Sequence, residues 1–147
     1  MTLKIRAYQK TEVAISMLET AIDLFLGNGC KFSALQLAAA SEELIAGLIK
    51  AGNSNEVTGR EKAKQWLAEL HKAYGNEKID KQIGDSLNEI RNQTKHHSPN
   101  DPVELVVCIE KHASAAIGRA IDNYLTYYGE PTEKNAYFIH LWSKNEI

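Results

Sequence analysis

The segment Arg91-Asn92-Gln93-Thr94-Lys95-His96-His97 places a fixed cation, an amide, a lysine and two imidazoles within seven residues. A guanidinium grips a phosphate or carboxylate through two parallel hydrogen bonds, and an imidazole ordinarily exchanges protons near neutrality. On a helix, at about 100° per residue, Asn92 and His96 lie one turn apart on one face, and Arg91 and Lys95 do the same on the adjacent face. Both faces are expected to converge on one anion. A structural role competes with this one, because Lys, Arg and His in a last helical turn complement the negative end of the helix dipole. His97, Ser98 and Asn100 also have the character of turn residues ahead of proline.

The element that carries the segment is a narrow apolar stripe, Ile79, Ile83, Leu87 and Ile90, at helical spacing. Pro99 and Pro102 stop it, since each lacks an amide hydrogen and turns its predecessor away from helical angles. Upstream, Ala14, Ile15, Leu18, Ala21, Ile22 and Phe25 predict a long amphipathic helix from Thr11, extendable back through Leu3, Ala7 and Tyr8. Gly27-Asn28-Gly29 offers it a left-handed end. Ser33 with Gln36 resembles a capping box that opens a second helix over Leu35 to Lys50, small-residued from Ala34 to Ala40 and stopped by Gly52-Asn53-Ser54.

Thr58 with Glu61 is a second box, ahead of Ala63, Trp66, Leu67, Leu70 and Tyr74, with Gly75-Asn76 at the end. Asp101 as cap and Pro102 at the first helical position predict a last long helix through Leu105, Val106, Ile109 and on to Tyr124, closed by Gly129 and Pro131. Tyr137, Phe138, Leu141 and Trp142 form a short aromatic tail that needs a place to bury. With no strand pattern or repeat, the expectation is an all-α chain, a single domain over residues 1–147. Its predicted architecture is an antiparallel bundle of four principal helices with an extra short helix and an aromatic C-terminal tail.

Composition removes several classes of function. Seventeen Lys and Arg against 19 Asp and Glu give a formal charge of -2, so no global basic field draws in nucleic acid or an anionic membrane, and any such contact must be local. Cys30 and Cys108 match neither a CxxC metal spacing nor a disulfide framework, which fits a reducing cytoplasm. The apolar run from Val13 to Leu26 is broken by Ser16, Glu19, Thr20 and Asp23, and the N-terminus lacks a signal-peptide pattern, so no membrane partner is expected. No Glu-x-x-His pair supports a bundle metal site, and His71, His112 and His140 read as surface or boundary residues. Neither a phosphate-binding glycine loop nor a Gly-x-Ser-x-Gly elbow occurs, and no cofactor is implied. Glu42 and Glu43 interrupt the second helix. They point toward Arg91 and orient it, or one faces solvent and the other sits at the boundary.

Arg91-Asn92-Gln93-Thr94-Lys95-His96 resembles the Arg-x4-6-His motif, often Arg-Asn-x-x-Lys-His, of the HEPN superfamily of helical domains. Its place at the end of the third principal helix is similar as well, and Ala38-Ala39-Ala40-Ser41-Glu42-Glu43-Leu44 resembles the small-residue, Glu-containing second helix of some bacterial members. The resemblance spans roughly residues 11–128, and only the Arg-to-His segment is specific. It implies a bundle that commonly dimerises, bringing two Arg and two His into one cleft. In active members that cleft is a metal-independent endoribonuclease site of toxin or defence type, with RNA as substrate and an antitoxin or other protein as partner. On that reading Arg91 and His96 are catalytic, Asn92 orients them, and Lys95, His97, Glu42 and Glu43 bind or position. The competing reading is a non-catalytic bundle that binds a protein or small ligand.

A homodimer is expected on two grounds, against the alternative of a monomer whose aromatic tail folds back over its own bundle. Tyr124, Tyr127, Tyr128, Tyr137, Phe138 and Trp142 supply more aromatic surface than a bundle of this size needs to bury, and the resemblance makes a single Arg-His set incomplete.

Overall fold

A computed structural model describes residues 3–52 and 55–147. Among these residues there are six helices and no strand: α1 (Lys10–Leu26), α2 (Lys31–Ala51), α3 (Gly59–Ala73), α4 (Asp80–Gln93), α5 (Ile109–Tyr128) and α6 (Glu133–Ser143). Helix α2 makes its most extensive contacts with α5 and α1, and these three enclose the core. The predicted stripes are the buried ones: Ala14, Leu18, Ala21 and Ile22 on α1, and Ala113, Ala116, Ile117, Ala120 and Ile121 on α5. Ala34 and Ala38 of α2 are sealed between them, and small side chains there let the backbones approach. Ser41 Oγ donates to the Ala14 carbonyl at 2.8 Å, which satisfies a buried hydroxyl and ties α2 to α1.

Helix α6 closes the core from the α1 side. Thr132 Oγ1 caps it by accepting from Asn135 N–H, and Phe138 is fully buried in edge contact with Phe25 of α1. The aromatic tail therefore folds back on its own chain through Phe138, while Tyr137 and Trp142 stay exposed. Helix α2 is long and apolar enough to cross a bilayer by length and composition, yet it is the central helix of this core and carries Ser41 and Glu42 inside it.

Several helix ends differ from expectation. Helix α1 starts at Lys10, where the Glu12 carboxylate accepts the Gln9 N–H, and Leu3, Ile5 and Tyr8 lie outside it, exposed. Its end at Gly27 is extended rather than left-handed. Gly29 serves close approach instead, since a Cβ there would stand 2.9 Å from Leu24 Cα. Helix α2 begins at Lys31, so the Ser33–Gln36 box does not form. Lys31 Nζ donates to the Phe25 and Gly27 carbonyls and so supplies the capping donor α1 lacks. Gly52 ends α2, and the Asn53 and Ser54 of the predicted stop lie outside the described residues.

The largest displacement is at α5, which begins at Ile109 and not at Pro102. Asp101 accepts from Ser98 N–H at 2.7 Å and stabilises a turn. Val103 and Val106 are 92% and 93% exposed. A run rich in β-branched residues with nothing to pack against has little to hold it helical.

Candidate functional site

Helices α3 and α4 lie outside the three-helix core, and polar contacts hold them together with the packing of Ile83 and Ile90. Thr58 and Glu61 form the predicted capping box at the start of α3, with Glu61 accepting the Thr58 N–H at 2.8 Å. The first turn of α3 docks on α5: Gly59 N–H donates to Asn123 Oδ1 at 2.8 Å, and Asn123 Nδ2 donates to the Glu42 carbonyl at 3.0 Å. One fully buried amide thus joins α2, α3 and α5. A Cβ at Gly59 would fall 2.7 Å from the Arg119 carbonyl oxygen, so only glycine permits this approach. Arg60 then carries α4, donating to Asn88 Oδ1 and the Gly84 carbonyl at 2.9 and 3.1 Å. Of the predicted α4 stripe only Ile83 is sealed. Leu87 and Ile90 are half-buried, and Ile79, at the N-cap, is exposed.

Helix α4 delivers Arg91 to α2. Arg91 grips both oxygens of Glu43 with its two terminal nitrogens, Nη2 to Oε2 at 3.2 Å. Its carbonyl accepts from Gln36 Nε2 at 3.0 Å and from Thr94 Oγ1 at 2.8 Å. The Arg91 hydrogen bond holds the Glu43 carboxyl below the usual carboxylate range against partial burial, and the charges of Arg91, Lys95 and Arg60 act in the same direction. Arg91 Nε is buried with no acceptor.

Of the two predicted carboxylates, Glu43 is therefore the one that orients Arg91. Glu42 turns into the core and accepts from Arg119 Nε at 3.1 Å; the two side chains are 5% and 15% exposed. The boundary or surface position considered for Glu42 does not hold. A carboxylate one residue from Glu43 is about 100° further round the helix, facing α5 instead of α4.

Past Gln93 the chain continues in turns, with the Thr94 N–H bonded to the Ile90 carbonyl and the His96 N–H to that of Asn92. Lys95, His96 and His97 are exposed. Asn92 and His96 share an open cleft of about 500 Å³ whose wall also includes Asp85, Glu89 and Asp101. His96 and His97 flank a smaller hollow against Val103 and Leu105. Arg91 lines neither. It faces a separate cavity of about 310 Å³ between α3, α4 and α5, with Trp66, Leu87, Lys111, His112 and Arg119. Within one chain, the expected convergence of the Arg91 and His96 faces on one anion does not occur. Asn92 with His96 is one group, and Arg91 with Glu43 is another.

No protein-family model, curated protein or solved structure matches the chain. The functional reading therefore rests on this geometry. Among the described residues no three His, Cys, Asp or Glu side chains gather as metal ligands. The cations that sequence reasoning passed over are Lys111 and Arg119, which line the cavity that Arg91 faces. One signal was present: Arg119 and Asn123 interrupt the apolar spacing of Ala116, Ala120 and Tyr124, and a charged residue on a core-facing stripe requires a buried partner.

Proposed function

We propose that the chain is a HEPN-like module, a bundle of four principal helices in which α4 is the third, acting on RNA as a homodimeric, metal-independent endoribonuclease of toxin or defence type. The observation that supports this reading is the pairing of a rigidly held guanidinium, Arg91 clamped by Glu43, with an exposed imidazole, His96, on the same helix end. His96 takes the ribose 2′-hydroxyl proton or protonates the leaving oxygen, Arg91 stabilises charge on the phosphorane, and Asn92 orients His96 or the substrate. Because Arg91 and His96 open on different cavities, the working site requires a second copy across a two-fold axis.

The test is cleavage of a mixed RNA pool in the presence of chelator by wild type, Arg91→Ala and His96→Ala. Cleavage by wild type alone is expected. Activity that survives both substitutions, or that chelator abolishes, rejects the mechanism.

A second reading is a non-catalytic module that binds a protein such as an antitoxin, or a small ligand. The carboxylates Asp85, Glu89 and Asp101 beside His96 favour it, since they repel a phosphate backbone. A wild-type chain that cleaves none of a diverse RNA set supports this second reading.

A further inference from the structure

The cavity between α3, α4 and α5 shares Arg91 with the nuclease reading and adds features that reading does not use, chiefly Trp66, Lys111, His112 and Arg119. Its apolar wall is built from Leu67, Leu87, Ile90 and the ring of Trp66, which is 62% exposed although it borders a concave site. Its polar wall carries three cations beside the neutral Ser86. Arg91, Arg119 and Lys111 line it, His112 stands among them, and no carboxylate does. In a chain of net charge -2 such a concentration of one sign needs a cause. The acidic partners of two of these cations, Glu43 and Glu42, bond from outside the lining. The Lys111 ammonium has no ion pair among the described residues. Arg91 Nε is a buried donor without an acceptor, and such a group carries a desolvation cost until an acceptor arrives. The field is also felt by His112, whose imidazole is held below its ordinary range by burial first and then by Lys111 and Arg119.

From this arrangement we infer that the cavity binds a small organic anion with a flat apolar body, its head group meeting Lys111, Arg119 and Arg91 and its body lying along Trp66, Leu67 and Leu87. A volume of about 310 Å³ suits a two-ring body with one head group and lies at the lower end for small-molecule sites. Arg91 and Arg119 are preset for the head by their carboxylate clamps, which lowers the ordering cost of binding. Carboxylate and phosphate monoester heads share this chemistry.

The experiment is isothermal titration of the full chain with 2-naphthoate and with 2-naphthyl phosphate, alongside 2-naphthalenemethanol as the body alone and inorganic phosphate as the head alone. The Trp66 indole N–H is followed by NMR. Saturable one-to-one binding of at least one organic anion is expected, with a shift of the Trp66 signal. The neutral body and the bare phosphate should bind at least tenfold more weakly, and the tighter of the two anions identifies the head group. Lys111→Glu and Trp66→Ala, both at exposed positions, should each weaken binding about tenfold or more while keeping the helical spectrum. Equal binding of the neutral body, no saturable binding of either anion, or unchanged affinity in both folded variants overturns the inference. RNA cleavage is read separately through His96→Ala, so failure of one reading leaves the other standing.

Discussion

Replacing Arg119 by Met tests whether the Glu42–Arg119 pair is as buried as it stands in the fold. The Glu42 side chain is 5% exposed, and its Oε1 accepts from Arg119 Nε at 3.1 Å. Methionine fills much of the arginine stem's volume and removes only the guanidinium, so the loss isolates the carboxylate left behind. Breaking a buried pair on one side costs about 3–5 kcal/mol, whereas an exposed pair is worth about 0–1 kcal/mol. For a domain of this length each kcal/mol moves the melting temperature by roughly 2–4 °C, which gives a fall of about 6–20 °C. Glu42→Leu with Arg119→Met removes both charges and should recover most of that loss, since an apolar pair of similar volume is often neutral. Thermal and urea unfolding of the two single variants and the double variant complete the cycle. A single-variant loss under about 1 kcal/mol, or a double variant as unstable as the sum of its parts, would refute a sealed and mutually dependent pair.

Other consequences follow from the same contacts. Gly59→Ala should cost about 1–3 kcal/mol, because its Cβ meets the Arg119 carbonyl backbone and α3 must lift from α5; a wild-type melting temperature would show that the approach is slack. Ile83→Asp should destabilise by several kcal/mol and Leu87→Asp by less, since only Ile83 is sealed, and equal losses in urea melts would place both on one buried face. Arg91→Ala should raise the Glu43 carboxyl toward the ordinary carboxylate range, read by NMR titration. Because the folded-state value is lowered, that pair's contribution is present above the unfolded carboxylate value and is lost as pH falls through the folded one. His112 acts in the same direction: its lowered imidazole makes the unfolded state bind more protons below about pH 6.5, so stability falls on acidification from there, and His112→Gln should flatten that slope.

The core was legible because its signal is periodic. Leu18, Ile22, Ile117 and Ile121 recur at helical spacing, and burial follows spacing directly. The box of Thr58 and Glu61 was legible too, being local in sequence and in space. The Pro102 start of α5 failed because a capping pattern gives a helix a place to begin and not a surface to bury, and Val103 and Val106 have none. The destinations of Glu42 and Glu43 were hidden for another reason. Adjacent residues on α2 look alike in sequence, and which faces α5 and which α4 depends on how Asn123, Gly59 and Arg60 seat the outer helices. Those are contacts across long stretches of chain, with no local pattern to announce them.

The same geometry decides what the Arg-to-His segment can do. Arg91 lies within α4, whereas His96 follows the helix end in turns that bring it back over Asn92, its N–H bonded to the Asn92 carbonyl. Asn92 and His96 therefore share a cleft, and Arg91, committed to Glu43, opens on the other side of α4. If the chain is a nuclease, the arginine of one copy must meet the histidine of another, and this has a sharp consequence. Arg91→Ala and His96→Ala, each inactive as a homodimer, should regain activity when mixed and allowed to exchange subunits. Each mixed dimer has one site with both residues lost and one with both intact. Half of the dimers are mixed and half of their sites work, so cleavage should return to about a quarter of the wild-type rate. Sedimentation equilibrium of the same samples should give twice 16.4 kDa. A mass of one chain, or a mixture as inactive as its components despite exchange, would refute a site shared in this way.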